Sequence, residues 1–151
     1  MEEFYQLLGV PILDQLPFTD IKGEPRPEEI ARALHLQQSD VVENWETRSG
    51  VKGFLAMFLF EKAQQLWEVL DLKAFEEVVA LLIYGMVLFP NLDQLIDVNA
   101  VKVFLSCNPV PTLLRDILHS LHTRTMKRRG ILMCCTPLLA RWFIFTYLDL
   151  F

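Results

Sequence analysis

Twelve consecutive residues, Val78 to Phe89 (VVALLIYGMVLF), carry no charge and end abruptly at Pro90-Asn91. A run of this kind does not sit at a protein surface. Taken as a helix it is hydrophobic all round, which places it at the centre of a domain with amphipathic segments packed over it. It is too short for the roughly 20 residues that span a bilayer, and the apolar C-terminal segment carries Pro137, Arg141 and Asp149, so no membrane partner is expected. Gly85 interrupts the run at a cost of about 1 kcal/mol relative to alanine. Its presence predicts the close approach of a neighbouring helix.

The flanking segments supply the cover. Asp71 is placed to cap a helix that begins half polar, with Lys73, Glu76 and Glu77, and then becomes the apolar run, giving a central helix over about 72–89. Before it, Phe54 to Leu70 sets Leu55, Phe58, Leu59, Leu66, Trp67 and Leu70 at helical spacing, with Glu61, Lys62, Gln64, Gln65 and Glu68 mostly opposite. Pro27-Glu28-Glu29 is a good helix start, and Ser39-Asp40 opens a second helix carrying Val41, Val42 and Trp45. Ser49-Gly50-Val51-Lys52-Gly53 breaks that helix and reads as a mobile loop.

After the core run, Asp97 caps a helix to Cys107. Asn108-Pro109-Val110-Pro111 ends it, and Thr112 caps a long helix to Arg129 with Gly130 as its stop. Ile131 to Cys135 reads as a short extended piece, and Thr136-Pro137 opens a last helix through Tyr147. Upstream, Glu2 to Leu8 is a short helix fragment, and the prolines between Val10 and Pro27 imply a turn-rich crossing. No stretch alternates with period two. The expectation is an all-α fold: a single irregular helical domain over residues 1–151, of about seven helices around the buried central helix.

Length and composition agree with one domain, since 52% of the 151 residues are hydrophobic and 22% charged. The acidic start MEEFYQLLG is unlike a secretory signal, so an intracellular location is expected. Cys107, Cys134 and Cys135 are odd in number, and two are adjacent, which suits reduced buried thiols better than a disulfide framework or a zinc site. Residues 1–100 hold 17 Asp/Glu against 7 Lys/Arg, and residues 101–151 hold 2 against 7, so a half of net −10 precedes one of +5. That asymmetry fits a basic contact surface or two halves that attract each other.

Three constellations invite chemistry. Arg124, Lys127, Arg128 and Arg129, with Arg115 and His122 upstream, form a basic helix end suited to phosphates or to an acidic partner. The helix dipole favours cations there without any ligand. Asp116, His119 and His122 lie three residues apart on one helix, but each three-residue step turns about 60° away from a shared face, so a solvent-facing polar edge competes with a metal or acid/base site. A catalytic reading requires a concave pocket where such groups converge with shifted pKa values. His35 reads as a half-buried edge residue, and the tryptophans Trp45, Trp67 and Trp142 as core.

ALLIYGMVLFPN, then NPVPTLL, then CCTPLLARWFI resemble, in order, blocks of the transposon-derived plant mobile domain of the "aminotransferase-like" kind, in the legume-expanded branch known as an uncharacterised plant domain. GVPILDQLPF and the ALHL segment fit the same pattern, so the resemblance covers roughly residues 1–144. It implies a mainly helical domain encoded by mobile elements and host genes derived from them, with some members in the nucleus and tied to transposon silencing. Met1 falls inside the block that precedes GVPI in the family, and Phe145 to Phe151 depart from its pattern, which implies a shortened copy. No glycine-rich phosphate loop with a lysine for pyridoxal phosphate is recognisable, and the family pattern carries over no catalytic residues. The functional expectation is therefore a non-enzymatic interaction module, without a cofactor, that binds protein partners and is linked to the nucleus. Nucleic-acid binding through Arg124, Lys127, Arg128 and Arg129 is the alternative.

Overall fold

The computed structural model describes residues 23–107, 109–127 and 134–148, with side chains to residue 144. The helix fragment at Glu2 to Leu8, nearly all of the proline-punctuated crossing, the Gly130 stop and the extended piece from Ile131 to Met133 lie outside the described residues. Among the described residues, seven helices account for 70% of the structure, and a small three-stranded antiparallel sheet accompanies them. The architecture is therefore mostly α rather than purely all-α.

Helix α1, Pro27–Leu34, starts where proline fits the first turn and where the Glu29 carboxylate accepts from the Arg26 backbone N–H at 3.2 Å and from its guanidinium at 2.6 Å. It ends at His35, which adopts φ 55° and is exposed rather than half-buried. Helix α2, Gln38–Asn44, stops one residue before Trp45. That residue opens β1, Trp45–Arg48, which pairs with β2, Val51–Leu55.

Ser49 and Gly50 join the two strands with φ values of 51° and 80°, the left-handed pair of a type I′ hairpin turn. The stretch expected as a mobile loop is thus a turn and the first part of a strand. Alternation did not reveal it because β1 is an edge strand with three exposed residues, and β2 spends one position on glycine. The third strand, β3, Leu95–Asp97, pairs Gly53 with Asp97, Phe54 with Ile96 and Leu55 with Leu95. A Cβ on Gly53 would collide with the Ile96 carbonyl oxygen and stand 2.9 Å from Asp97 Cα, so only glycine lets β3 approach this closely.

Helices α3, Ala56–Glu68, and α4, Leu72–Ile83, form a hairpin, with Asp71 accepting from the Ala74 N–H at 3.2 Å as the expected cap. Helix α4 continues into a π-helical turn, Tyr84–Leu88. The central segment is not buried all round: Val78, Leu81 and Leu82 face the core, but Ile83, Met86 and Val87 are 43–47% exposed. The reason lies in its neighbours. The sheet and α1, α3 and α5 cover one side of it, and no described element covers the other.

Gly85 does mark a close approach, but to a strand rather than a helix. A Cβ there would lie 2.7–2.9 Å from three side-chain atoms of Ile96 on β3. The π turn occurs where Ile96 presses against the backbone. On α3 likewise, Leu59 and Ala63 are buried, whereas Trp67, and Leu70 just beyond the helix end, both expected inside, are exposed.

Helix α5, Val98–Leu105, is capped by Asp97, whose carboxylate accepts from the Ala100 N–H at 2.8 Å and from Asn91 Nδ2 at 2.6 Å. Helix α6, Val110–Lys127, begins before Thr112, and helix α7, Thr136–Leu148, follows it. Among the described residues no helix is long and apolar enough to cross a membrane.

Burial resolves into two cores. The larger joins α1 through α5 and the sheet around Ile30, Leu34, Val41, Phe54, Leu59, Val78 and Ile96. Trp45 meets Phe54 edge-on with ring centroids 4.8 Å apart, and Phe54 stacks on Phe58 at 5.7 Å. Lys62 and Asp40, 2.7 Å apart and mostly buried, tie α2 to α3. The smaller core holds Val110, Leu113 and Ile117 of α6 against Cys134, Cys135, Leu138 and Leu139. Phe89, the last residue of the apolar run, packs against both cores and joins them.

Candidate functional site

The basic group expected at the end of α6 is described in part. Arg124 and Lys127 occupy its last turn and are exposed, while Arg128 and Arg129 lie outside the described residues. Cations at that position complement the helix dipole, so their placement has a local cause whatever they bind. Arg115 sits three turns away on the same helix, beside a different surface.

That surface is a cleft of about 500 Å³ between the Pro90-Asn91 bend, α5 and the first half of α6. Asn91, Asp97 and Asn99 contribute from one side, and Thr112, Arg115, Asp116, His119 and Ser120 from the other. Burial pushes the Asp116 carboxyl up from its ordinary value; neighbouring His119 opposes the shift and the charge on Asp97 adds to it. The Thr112 hydroxyl oxygen is buried and makes no hydrogen bond. Asp116 and His119 therefore line one concavity, whereas His122 borders an adjoining depression with Pro111, Leu114 and Leu118.

The carboxylates of the cleft are unequal. Asp97 is only 4% exposed and committed to capping α5 and holding Asn91, which leaves Asp116 as the acidic group open to a ligand. Among the described residues no three His, Cys, Asp or Glu side chains gather closely enough to hold a metal. Cys134 and Cys135 are buried in the second core, and burial raises both thiols, which disfavours the nucleophilic thiolate.

A more apolar surface lies elsewhere. Phe60, Ala63, Gln64 and Trp67 of α3 face Phe75, Val79, Leu82 and Ile83 of α4, with Met86 and Val87 of the π turn, across a groove of about 680 Å³. Trp67 is 56% exposed and Phe60 49%, in line with the exposed residues of the π turn. The rings of Trp67 and Phe75 stand 5.4 Å apart and link the two helices. Glu61, Glu68 and Glu76, each exposed, directly follow the lining aromatics Phe60, Trp67 and Phe75. One residue is about 100° of helix rotation, so these carboxylates stand on the rims of an apolar floor.

Helical periodicity does not distinguish a residue facing the core from one facing this groove, and so it missed Phe60, Ile83, Met86 and Val87. A signal was nonetheless present. Helix α3 and its end carry Met57, Phe60, Trp67, Val69 and Leu70 in addition to the buried Ala56, Leu59 and Ala63, an apolar arc wider than one neighbour covers.

No curated protein matches the chain, and no solved structure matches it. Residues 1–149 match the family model described as Domain of unknown function (DUF7745), and the chain belongs to that family.

Proposed function

We propose that the domain is a non-enzymatic protein-interaction module and that the α3–α4 groove is its binding surface. The observation that carries this reading is the groove itself: contiguous exposed Phe60, Trp67, Ile83, Met86 and Val87 on two packed helices. Soluble surfaces rarely leave so many large apolar side chains adjacent and uncovered without a partner for them. Aromatic and methionine side chains flanked by carboxylates form an apolar centre with a polar rim, the usual anatomy of a contact surface. The resemblance to the plant mobile domain extends the proposal to a transposon-derived protein acting in the plant nucleus.

The test is recovery of partners from plant nuclei with three forms in parallel: the intact chain, Ile83→Glu, and a form with Arg124, Lys127, Arg128 and Arg129 all changed to Glu. Protein partners retained by the charge-reversed form and lost by Ile83→Glu are expected. Partners indifferent to Ile83→Glu refute the groove. A second reading, nucleic-acid binding, draws on the exposed Arg124 and Lys127 at the end of α6. It requires DNA or RNA affinity that falls steeply with salt and disappears on charge reversal.

A further inference from the structure

The chain itself carries a surface that complements the groove. Helix α6 commits Val110, Leu113 and Ile117 to the second core and leaves Leu118 and Met126, 57% and 72% exposed, outside it, about 80° apart around the helix. Leu118 and Met126 are eight residues apart, about 12 Å along the helix, and the α4 side of the groove from Phe75 to Val87 extends about 18 Å. The longer surface accommodates the shorter. Charges complement as well. Residues 56–88 hold five carboxylates against two lysines, net −3, and residues 110–127 hold Arg115, Arg124 and Lys127 against Asp116, net +2.

We infer that the groove takes the outer face of α6 from a second copy of this chain, a head-to-tail contact. Its premise is the reading of the groove as an interaction surface. The occupant belongs to another copy because the inner face of α6 is held in its own second core, so its outer face does not turn into the groove of the same chain. Leu118 and Met126 enter between Trp67, Ile83 and Met86, and Arg115 and Lys127 of α6 lie within reach of the rim carboxylates Glu61, Glu68 and Glu76. Two different surfaces meet in such a contact, so a joined pair retains one free groove and one free α6 face, and assembly continues into open chains or closed rings.

The experiment follows from that asymmetry. Trp67→Glu disables the groove and leaves α6 intact; Leu118→Glu disables α6 and leaves the groove intact. Both positions are more than half exposed, and Ile83→Glu and Met126→Glu serve as second variants should either first choice unfold by circular dichroism. Sedimentation equilibrium of the intact chain is expected to show mass rising with concentration and falling with added salt. Each variant alone is expected to remain monomeric. An equimolar mixture of the groove variant and the α6 variant is expected to give a discrete 1:1 dimer, because each supplies the surface the other lacks.

An intact chain that stays monomeric up to submillimolar concentration overturns the inference. Self-association that survives either variant, or a mixture that stays monomeric, overturns it too, since both place the contact on other surfaces. These results leave the interaction-module reading standing wherever Ile83→Glu still loses nuclear protein partners. Loss of that dependence, with the 1:1 dimer present, reduces the groove to a self-assembly surface.

Discussion

Replacing Gly85 by alanine tests what holds the central segment against the sheet. In an unobstructed helix the change stabilises by about 1 kcal/mol, because alanine loses less backbone entropy. Here the new Cβ falls 2.7 Å from Ile96 Cγ2, 2.8 Å from Cγ1 and 2.9 Å from Cβ, whereas carbon atoms pack best at about 3.5–4.0 Å. No rotamer of Ile96 relieves all three contacts, because Cβ moves only with the backbone and that backbone is paired to Phe54. Overpacking of this kind costs about 1–3 kcal/mol, and with three atoms engaged in a fully buried site the upper half of that range applies. Net destabilisation of about 1–2 kcal/mol is expected.

The decisive measurement is a double-mutant cycle with Ile96→Ala, followed by urea unfolding. Ile96→Ala alone opens a cavity and costs about 2–5 kcal/mol. It also removes two of the three obstructing atoms and leaves Cβ at 2.9 Å, so Gly85→Ala in that background is expected to cost less than in the wild type, with a coupling of about 1 kcal/mol. Equal costs of Gly85→Ala in both backgrounds would refute the claim that Ile96 is what requires glycine at this position.

The other expectations follow from single side chains. Asp97→Ala removes the α5 cap and strands the Asn91 amide, and a loss of about 1–3 kcal/mol in chemical denaturation is expected; a change below about 0.5 kcal/mol would contradict the capping role. Thr112→Val replaces a buried hydroxyl that has no partner by a methyl of similar shape, so stability is expected to hold or rise, and a clear loss would mean that the hydroxyl is satisfied in solution.

Asp116→Asn carries a pH signature. Burial raises the folded-state pKa of Asp116 above its ordinary value of 3.8, so the wild-type contribution is fully present below that value and is lost as pH rises through the folded pKa. The variant is therefore expected to gain relative to wild type as pH rises toward neutrality, with the gain vanishing in acid. The opposite slope, read from thermal unfolding across that range, would show that Asp116 is stabilised as a carboxylate.

Much of the helical layout was legible because its causes are local. Asp71 and Asp97 cap the helices they were expected to cap, since a short carboxylate reaches the N–H three residues on whatever surrounds it. Pro27 and Thr136-Pro137 likewise start helices, because a fixed φ needs no distant partner. The candidate site was legible only in parts. Asp116 and His119 were singled out, but the wall opposite them comes from Asn91, Asp97 and Asn99, which are remote from α6 in sequence.

What the sequence by itself determined is roughly where the helices lie, which residues cap α4 and α5, and that an apolar segment from Val78 to Phe89 contributes to the core. Propensity, capping and periodicity act within a few residues and can be read there. The tertiary structure alone decided that Ser49-Gly50 turns a hairpin whose third strand arrives after the whole of α3 and α4. It also decided that Gly53 and Gly85 both make room for Ile96, and that one side of the central segment lines a groove. Strand pairing and the choice of covered face depend on which distant surfaces meet, and an apolar side chain reads the same whether it is buried by its own chain or left exposed for another.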